Sequence, residues 1–204
     1  MRAAHLILSC YGFWLPNDPR GSWSEFVRKW ELVKFGKATK VETHASVAGV
    51  KHGASARAAA KELLAYPPVQ LTGRQALAVG HGFDRARQEG NYVVLACAIL
   101  PGHSHLVIGA TERAMSRVAG HFKGRATQAM VAEGLWTVDG PPLWGRGCWK
   151  VYLDSEDDVR RAIEYVEGNP EKEGKRRQAW SFVVAFEGGG WDARCHDVRG
   201  KPPR

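Results

Sequence analysis

The sequence lacks the features of membrane-spanning, disulfide-stabilised and repeat proteins. No apolar run approaches the ~20 residues that cross a bilayer, and no internal repeat is visible. The four cysteines, Cys10, Cys97, Cys148 and Cys195, are widely scattered. Such spacing is typical of reduced thiols in a cytoplasm and not of a disulfide framework. We therefore expect a soluble, cytoplasmic protein with no membrane partner.

The chain has enough apolar residues for one globular domain, and it is basic. Of its 204 residues, 44% are hydrophobic and 25% are charged, which is sufficient to bury one core. Lys and Arg outnumber Asp and Glu by 29 to 21, giving a net charge of +8. A positive excess favours partners that carry phosphate, such as nucleic acid, although composition alone does not establish one.

Apolar periodicity and turn signals predict an alternation of strands and helices. Strands are expected at residues 3–10, 92–100, 103–109 and 149–153, and helices at 71–89, 112–133 and from Ser155 to about Gly168. Thr72 with Gln75, and Ser155 with Asp158, have the spacing of capping boxes at the start of the first and last of these helices. The run 92–100 is almost entirely apolar, which is typical of a strand at or near the middle of a sheet. The order β, α, β, β, α, β and a closing helix predicts a ferredoxin-like α+β fold, the split βαβ pattern, with strand 103–109 beside the first strand.

Two segments fall outside this pattern. An insertion at about residues 14–70 carries Trp14, Trp23 and Trp30, which could stack on unpaired bases or pack within the insertion itself. A basic C-terminal tail covers residues 175–204. The main domain is therefore expected to span residues 1–174.

Two histidines are placed to share a metal ion. His103 and His105 follow a Pro-Gly turn, and side chains two apart in a strand point to one face, while Ser104 points to the other. At the start of a strand the site is expected to open to solvent. A His-x-His pair also occurs without function, so it does not assign a metal by itself.

The closing helix presents a tyrosine and an amide beside its apolar stripe. Tyr165 lies off that stripe, with Arg161 and Asn169 one turn to either side. Two imidazoles and an amide oxygen would leave positions on Mg²⁺ or Mn²⁺ open for a phosphate. Tyr165 would then be the nucleophile. Alternatively, its ring covers a neighbouring element. The stripe itself consists of Val159, Ala162, Ile163 and Val166.

These motifs resemble those of one family. Residues 101–106 (PGHSHL) resemble the His-hydrophobic-His motif of HUH endonucleases, and residues 165–170 (YVEGNP) resemble the Tyr-x-x-x-Asn/Gln motif of single-tyrosine transposases. Segments 11–21 (YGFWLPNDPRG) and 143–147 (LWGRG) are similar to those of REP-associated tyrosine transposases, bacterial proteins associated with repeated palindromic DNA. The resemblance runs from residue 5 to about 174. It departs from the family at Ser104, where a bulky apolar residue is usual.

The resemblance implies a transposase-like enzyme that cleaves and rejoins single-stranded or hairpin DNA as a monomer or homodimer. His103, His105 and Asn169 would hold Mg²⁺ or Mn²⁺. Tyr165 would attack a DNA phosphate, giving a 5′-phosphotyrosine and a free 3′-hydroxyl. The basic residues expected to contact DNA are Arg113, Arg117, Lys123, Arg125 and Arg161.

Two other functions fit parts of the sequence. A non-catalytic, domesticated DNA- or RNA-binding module could use the same fold, and Ser104 leaves room for such a loss of activity. The hairpin strands, however, carry Val, Leu, Ala and His where an RNA-recognition sheet would carry Phe or Tyr. An unrelated metallohydrolase built on His103 and His105 would need an acidic ligand, and none lies at ligand spacing beside them.

Overall fold

A computed structural model describes residues 1–22, 24–27, 30–41 and 53–188. Four strands form one antiparallel sheet in the order β2-β3-β1-β4. They are β1 (Ala3–Ser9), β2 (Val94–Ile99), β3 (His103–Gly109) and β4 (Trp149–Leu153). The helices are α1 (Trp30–Val33), α2 (Ala54–Glu62), α3 (Gly73–Gly90), α4 (Met115–Ala132), α5 (Glu156–Glu167) and α6 (Asn169–Lys172). This order confirms the ferredoxin-like fold, with an insertion after β1.

The crossover helices α3 and α4 cover one face of the sheet, called here the α3/α4 face. As predicted, α3 begins at a capping box formed by Thr72 and Gln75. The rings of Phe83 and Phe122 meet edge to face between the helices, with centroids 5.4 Å apart. A Cβ at Gly82 would overlap the α4 backbone, so glycine is what allows this close approach. The strands contribute Ala4, Leu6, Leu8, Leu106 and Ile108 to this core.

Helix α5 covers the opposite face, called here the histidine face because His5, His103 and His105 project from it. The helix begins at the predicted capping box of Ser155 and Asp158. Its apolar stripe packs on the sheet in a second, smaller core, whose buried members include Ala3, Leu95, Val107, Val159, Ala162 and Val166. No helix in the described part of the chain is long and apolar enough to cross a membrane.

Strand β2 lies at an edge of the sheet, so the prediction that it lies near the middle is wrong. The chain beyond α6 covers its free edge. The side-chain amide of Gln178 exchanges hydrogen bonds with the backbone of Ile99 (2.8 and 2.7 Å), and the Val184 N–H donates to the Val94 carbonyl (2.9 Å). This cover keeps an apolar edge strand from water. Part of the predicted tail therefore packs on the domain, while residues 189–204 lie outside the described range.

The insertion starts where β1 ends and so lies beside the first residues of β3. The Cys10 N–H donates to the Gly102 carbonyl (2.9 Å). Further along, Leu15, Leu32 and Ala60 form a small third core. The insertion thus keeps its own apolar contacts while its first residues border His103. Trp23 lies outside the described residues.

Candidate active site

The structure brings together the two sequence motifs that carried the predicted site. The Asn169 side-chain nitrogen lies 2.9 Å from His105 Nε2, although the two residues are 64 positions apart. The Tyr165 ring meets the His105 ring edge to face, with centroids 5.8 Å apart. The ring centroids of His103 and His105 are 4.7 Å apart. His103, His105, Asn169 and Tyr165 therefore form one cluster between β3, α5 and α6.

The local fold explains how each member reaches this cluster. His103 and His105 alternate with Ser104 along β3, and the buried Ser104 faces the α3/α4 side as predicted. Tyr165 projects from the last turn of α5. That helix ends at Gly168, and Asn169 begins α6 with Pro170 in its first turn. Asn169 is buried, so this change of helix turns its amide inward toward His105.

A third histidine, His5, belongs to the same cluster and was not predicted. Its Nε2 lies 2.9 Å from His105 Nδ1, and the two rings stack with centroids 5.1 Å apart. In the β1–β3 register His5 pairs with Val107 and Ile7 pairs with His105, which makes His5 and His105 diagonal neighbours. The available signal was a histidine flanked on both sides by apolar residues in the strand AAHLILS.

Burial makes these histidines neutral, and it also contradicts the expectation of an open site. Burial lowers the pKa of His5 and of His103 from 6.5 to about 4 in each case. It lowers the pKa of His105 well below the usual value, with further contributions from neighbouring His103 and His5. His105 is only 2% exposed. At neutral pH the rings therefore carry no charge and keep nitrogen lone pairs for a hydrogen bond or a metal.

Phe13 covers His103 and thereby closes the entrance to the cluster. Its ring stacks on the His103 ring, with centroids 4.5 Å apart. A Cβ at Gly102 would overlap the Phe13 ring, so the glycine of the Pro-Gly turn leaves room for this cover. This contact was not predicted, because nothing in the spacing of the motifs placed Phe13 against His103.

Cations surround the aromatic residues at this entrance. The Lys61 ammonium lies 5.9 Å from the Phe13 ring centroid, and Arg57 is close enough to help lower the pKa of Lys61, after burial. The Arg20 guanidinium lies 3.9 Å above the Trp14 ring and is paired with Asp18 (2.8 Å). Of the described residues, none forms an ion pair with Lys61 or Arg57. Trp30, at the start of α1, is 82% exposed.

Tyr165 is half-buried and contacts more than the sequence predicted. Its ring packs against the second core and meets His5 edge to face, at 5.8 Å between centroids. The ring therefore takes part in core packing although Tyr165 lies off the apolar stripe of α5. The Lys172 ammonium lies 4.1 Å from the ring centroid, and Lys172 was also not predicted. Within the described part of the chain the Tyr165 hydroxyl has no hydrogen bond.

Four of the five predicted DNA contacts lie across the sheet from this cluster, because three are on α4, which packs on the α3/α4 face, and Arg113 shortly precedes that helix. Arg113 donates to the Tyr92 hydroxyl (3.0 Å) and Lys123 to the Gly145 carbonyl (2.8 Å). Arg125 is paired with Glu89 at 2.5 Å. Arg117 is exposed. Arg161, on α5, is paired with Asp158 at 2.6 Å. Contact of these five side chains with DNA stays a prediction.

The residues of the cluster have donor atoms suited to a divalent cation. His103 Nδ1 is buried without a hydrogen-bond partner, and His105 Nε2 has a lone pair that accepts from Asn169. The Asn169 amide would offer its oxygen once it turned over about its last torsion. Among the described residues no group of three or more His, Cys, Asp and Glu side chains is arranged to hold a metal. The predicted set has two histidines, and its third ligand is an amide.

Comparisons with known proteins add one structural likeness. No protein-family model matches the chain, and no curated protein matches it significantly. One of the solved structures it is similar to is that of a REP-associated tyrosine transposase bound to a REP hairpin. The likeness has 13% sequence identity and a TM-score of 0.46, and covers 85% of this chain and 68% of the other.

Proposed function

We propose that this protein cleaves and rejoins single-stranded or hairpin DNA through a covalent bond to Tyr165. The observation that carries the proposal is the meeting of Asn169 with His105 at 2.9 Å, with the Tyr165 ring packed on His105. If His105 served only to stabilise the fold, it would not need a neighbouring tyrosine whose hydroxyl has no hydrogen-bond partner in the described part of the chain. A nucleophile next to groups that can bind a metal ion is an arrangement suited to metal-assisted phosphoryl transfer.

The reaction follows from the chemistry of the phenol. The Tyr165 oxygen attacks a DNA phosphorus and forms a P–O bond, while the bond from that phosphorus to the 3′ oxygen breaks. The phenolic proton passes to solvent, and the departing oxygen takes up a proton to become a 3′-hydroxyl. One phosphodiester replaces another, so a second 3′-hydroxyl can reverse the step without ATP. This reversibility permits strand transfer as well as cleavage.

Two groups would meet the negative charge of the phosphate. Held by His103, His105 and Asn169, Mg²⁺ or Mn²⁺ would supply positive charge to the phosphate under attack. Lys172 places a second cation above the Tyr165 ring, where it attracts a phosphate that approaches the hydroxyl. Lys172 is exposed and has no ion pair within the described residues, so its charge is available to substrate.

The entrance beside Phe13 would receive the DNA strand. Lys61 and Arg57 provide positive charge next to the ring that covers His103. A single strand crossing this entrance would meet cations along its backbone and rings beside its bases, which is the usual composition of single-strand sites. The strand would then lie on the histidine face and not on the far side of the sheet.

A covalent adduct assay tests the proposal. The wild-type protein, mixed with Mn²⁺ and a labelled hairpin oligonucleotide carrying single-stranded flanks, should shift the label to protein in a denaturing gel. Tyr165→Phe should form no adduct while keeping its fold and DNA affinity. The matched control is Tyr152→Phe on β4, whose ring is 47% exposed, and it should form the adduct normally. Absence of an adduct from the wild type would favour the non-catalytic binding module.

A further inference from the structure

His5 is a buried polar residue flanked on both sides by apolar residues of β1. It is 9% exposed, and its cross-strand partners are Val107 and Val151. A valine or isoleucine would fill this position without the cost of removing an imidazole from water. The hydrogen bond to His105 offsets part of that cost. The role of the His5 imidazole therefore has to lie in its effect on His105, its hydrogen-bond partner.

We infer that His5 is a positioning residue that fixes the tautomer and the ring plane of His105, an inference that rests on the proposed function. His105 has both ring nitrogens engaged, Nδ1 with His5 at 2.9 Å and Nε2 with Asn169 at 2.9 Å. A neutral imidazole has one N–H and one lone pair. The Asn169 nitrogen donates to Nε2, so Nε2 must hold the lone pair and Nδ1 the proton.

The acceptor for that proton is His5 Nε2. Metal-binding histidines commonly donate the ring N–H that faces away from the ion to a fixed acceptor, which selects the tautomer and holds the ring. His5 does this for His105 while adding no charge to a site meant for a phosphate. The stacking of the two rings at 5.1 Å restrains the ring plane as well. His5 also borders Tyr165 at 5.8 Å, so one residue positions both a ligand and the nucleophile.

Nitrogen NMR of the metal-free protein tests the tautomer directly. In long-range ¹H–¹⁵N spectra at pH 7.5, His105 should show a protonated Nδ1 and an unprotonated Nε2. Its signals are assigned by their loss in His105→Gln. His5→Leu should shift this population toward the Nε2–H tautomer, because no acceptor remains for Nδ1–H. His5→Gln, whose amide oxygen can accept the same proton, should restore the wild-type tautomer. Observation of the Nε2–H tautomer in the wild type would overturn the inference.

Mn²⁺ affinity, followed by electron paramagnetic resonance, tests the consequence. Loss of an acceptor behind a ligating histidine typically costs about 10- to 100-fold in metal affinity, and we expect a loss in this range for His5→Leu. His5→Gln should recover most of it. The matched control is His121→Gln, because His121 is a hydrogen-bonded histidine of α4 on the opposite face, and it should leave the affinity unchanged.

These readouts separate this inference from the proposed function. If the wild type forms the DNA adduct but His5→Leu keeps both the tautomer and the Mn²⁺ affinity, His5 has no positioning role and only the inference fails. If the tautomer and affinity depend on His5 while the wild type forms no adduct, the proposed cleavage fails and the inference stands. If His5→Leu does not fold, the wild-type tautomer and the His5→Gln affinity still decide the matter. A loss of affinity in His5→Gln equal to that in His103→Ala would contradict a role as acceptor.

Discussion

The two faces of the sheet differ in the chemical character of their side chains. On the α3/α4 face, β1 and β3 present Leu6, Leu8 and Leu106 to a large apolar core. On the histidine face the alternate residues of the same strands include the buried His5 and His105 and the partly buried His103. Since neighbouring residues of a strand point to opposite sides, a shift of one position exchanges a residue of the large apolar core for a residue of the candidate site.

The faces also differ in what surrounds their unsatisfied polar groups. Within the described part of the chain each face has one buried polar atom without a hydrogen-bond partner, Ser104 Oγ on the α3/α4 face and His103 Nδ1 on the histidine face. Ser104 faces an apolar core, whereas His103 adjoins His105, which in turn contacts Tyr165 and Asn169. A buried unpaired nitrogen among other polar groups is a candidate ligand-binding atom.

The largest expected effect comes from adjacent residues on opposite faces. His105→Ala should abolish adduct formation because it removes an imidazole that would bind the metal ion. EDTA added to the wild type should abolish it as well, because EDTA removes the ion itself. Leu106→Ala should lower the free energy of unfolding by about 3 kcal/mol and keep adduct formation under conditions where the variant is folded. Adduct yields and urea unfolding curves measure the two effects. Undiminished cleavage by both His103→Ala and His105→Ala would remove the metal site from the account.

Acid should destabilise the protein through the histidine face. The folded-state pKa of His5 is about 4, against 6.5 in the unfolded chain, so the unfolded chain binds more protons between these values. Stability should therefore be full above pH 6.5 and fall as the pH drops toward 4, by about 3 kcal/mol for His5 alone. Urea unfolding at pH 7.5 and 4.5 measures the fall.

Two glutamine variants show where this acid sensitivity originates. His5→Gln should reduce the difference between the two pH values, whereas His81→Gln, at an exposed site on α3, should not. Equal pH dependence in the wild type and His5→Gln would place the acid sensitivity elsewhere than at His5.

Ser104 offers a smaller test on the α3/α4 face. Its hydroxyl is fully buried and has no partner, and leaving such a group unsatisfied costs about 1 to 3 kcal/mol. Ser104→Ala removes the hydroxyl without adding volume. We expect a gain of about 1 kcal/mol in the free energy of unfolding and an unchanged adduct yield. A loss of adduct in this variant would show that the two faces are not independent.

The smallest effect concerns where DNA lies. Removing one phosphate contact should reduce the slope of log affinity against log salt by about one unit. The proposed position of the strand on the histidine face predicts this for Lys61→Ala, whereas the DNA contacts predicted from the sequence place the same effect at Arg117→Ala on α4. Arg85→Ala, which removes an arginine paired with Glu89, serves as the control. A reduced slope in Lys61→Ala alone would confine the DNA to the histidine face.

The sequence predicted the four strands and helices α3, α4 and α5 because their patterns are local signals. The meeting of the hairpin motif with the tyrosine motif has no local signal, and it was predicted from the two motifs taken together. Capping boxes opened α3 and α5 where expected, and the alternation of β3 separated His103 and His105 from Ser104. The contribution of His5, Phe13 and Lys172 could not be predicted in this way. Each reaches the site through packing between distant segments, and no spacing rule links position 5 to position 105.

The edge position of β2 was missed for a related reason. An apolar run indicates that both faces of a strand are covered, but it does not indicate which neighbour covers its edge. Here Gln178 and Val184 supply that cover from a segment that was expected to lie outside the domain. The periodicity of residues 92–100 carries no information about that segment.

Peptide mapping of the protein–DNA adduct by mass spectrometry tests the central claim most directly. After nuclease and trypsin digestion of the wild-type adduct, the remaining nucleotide phosphate should lie on the peptide of residues 162–172, whose single tyrosine is Tyr165. Peptide 151–160, which holds Tyr152, should be unmodified. A nucleotide on peptide 151–160, or on any residue other than Tyr165, would contradict the account.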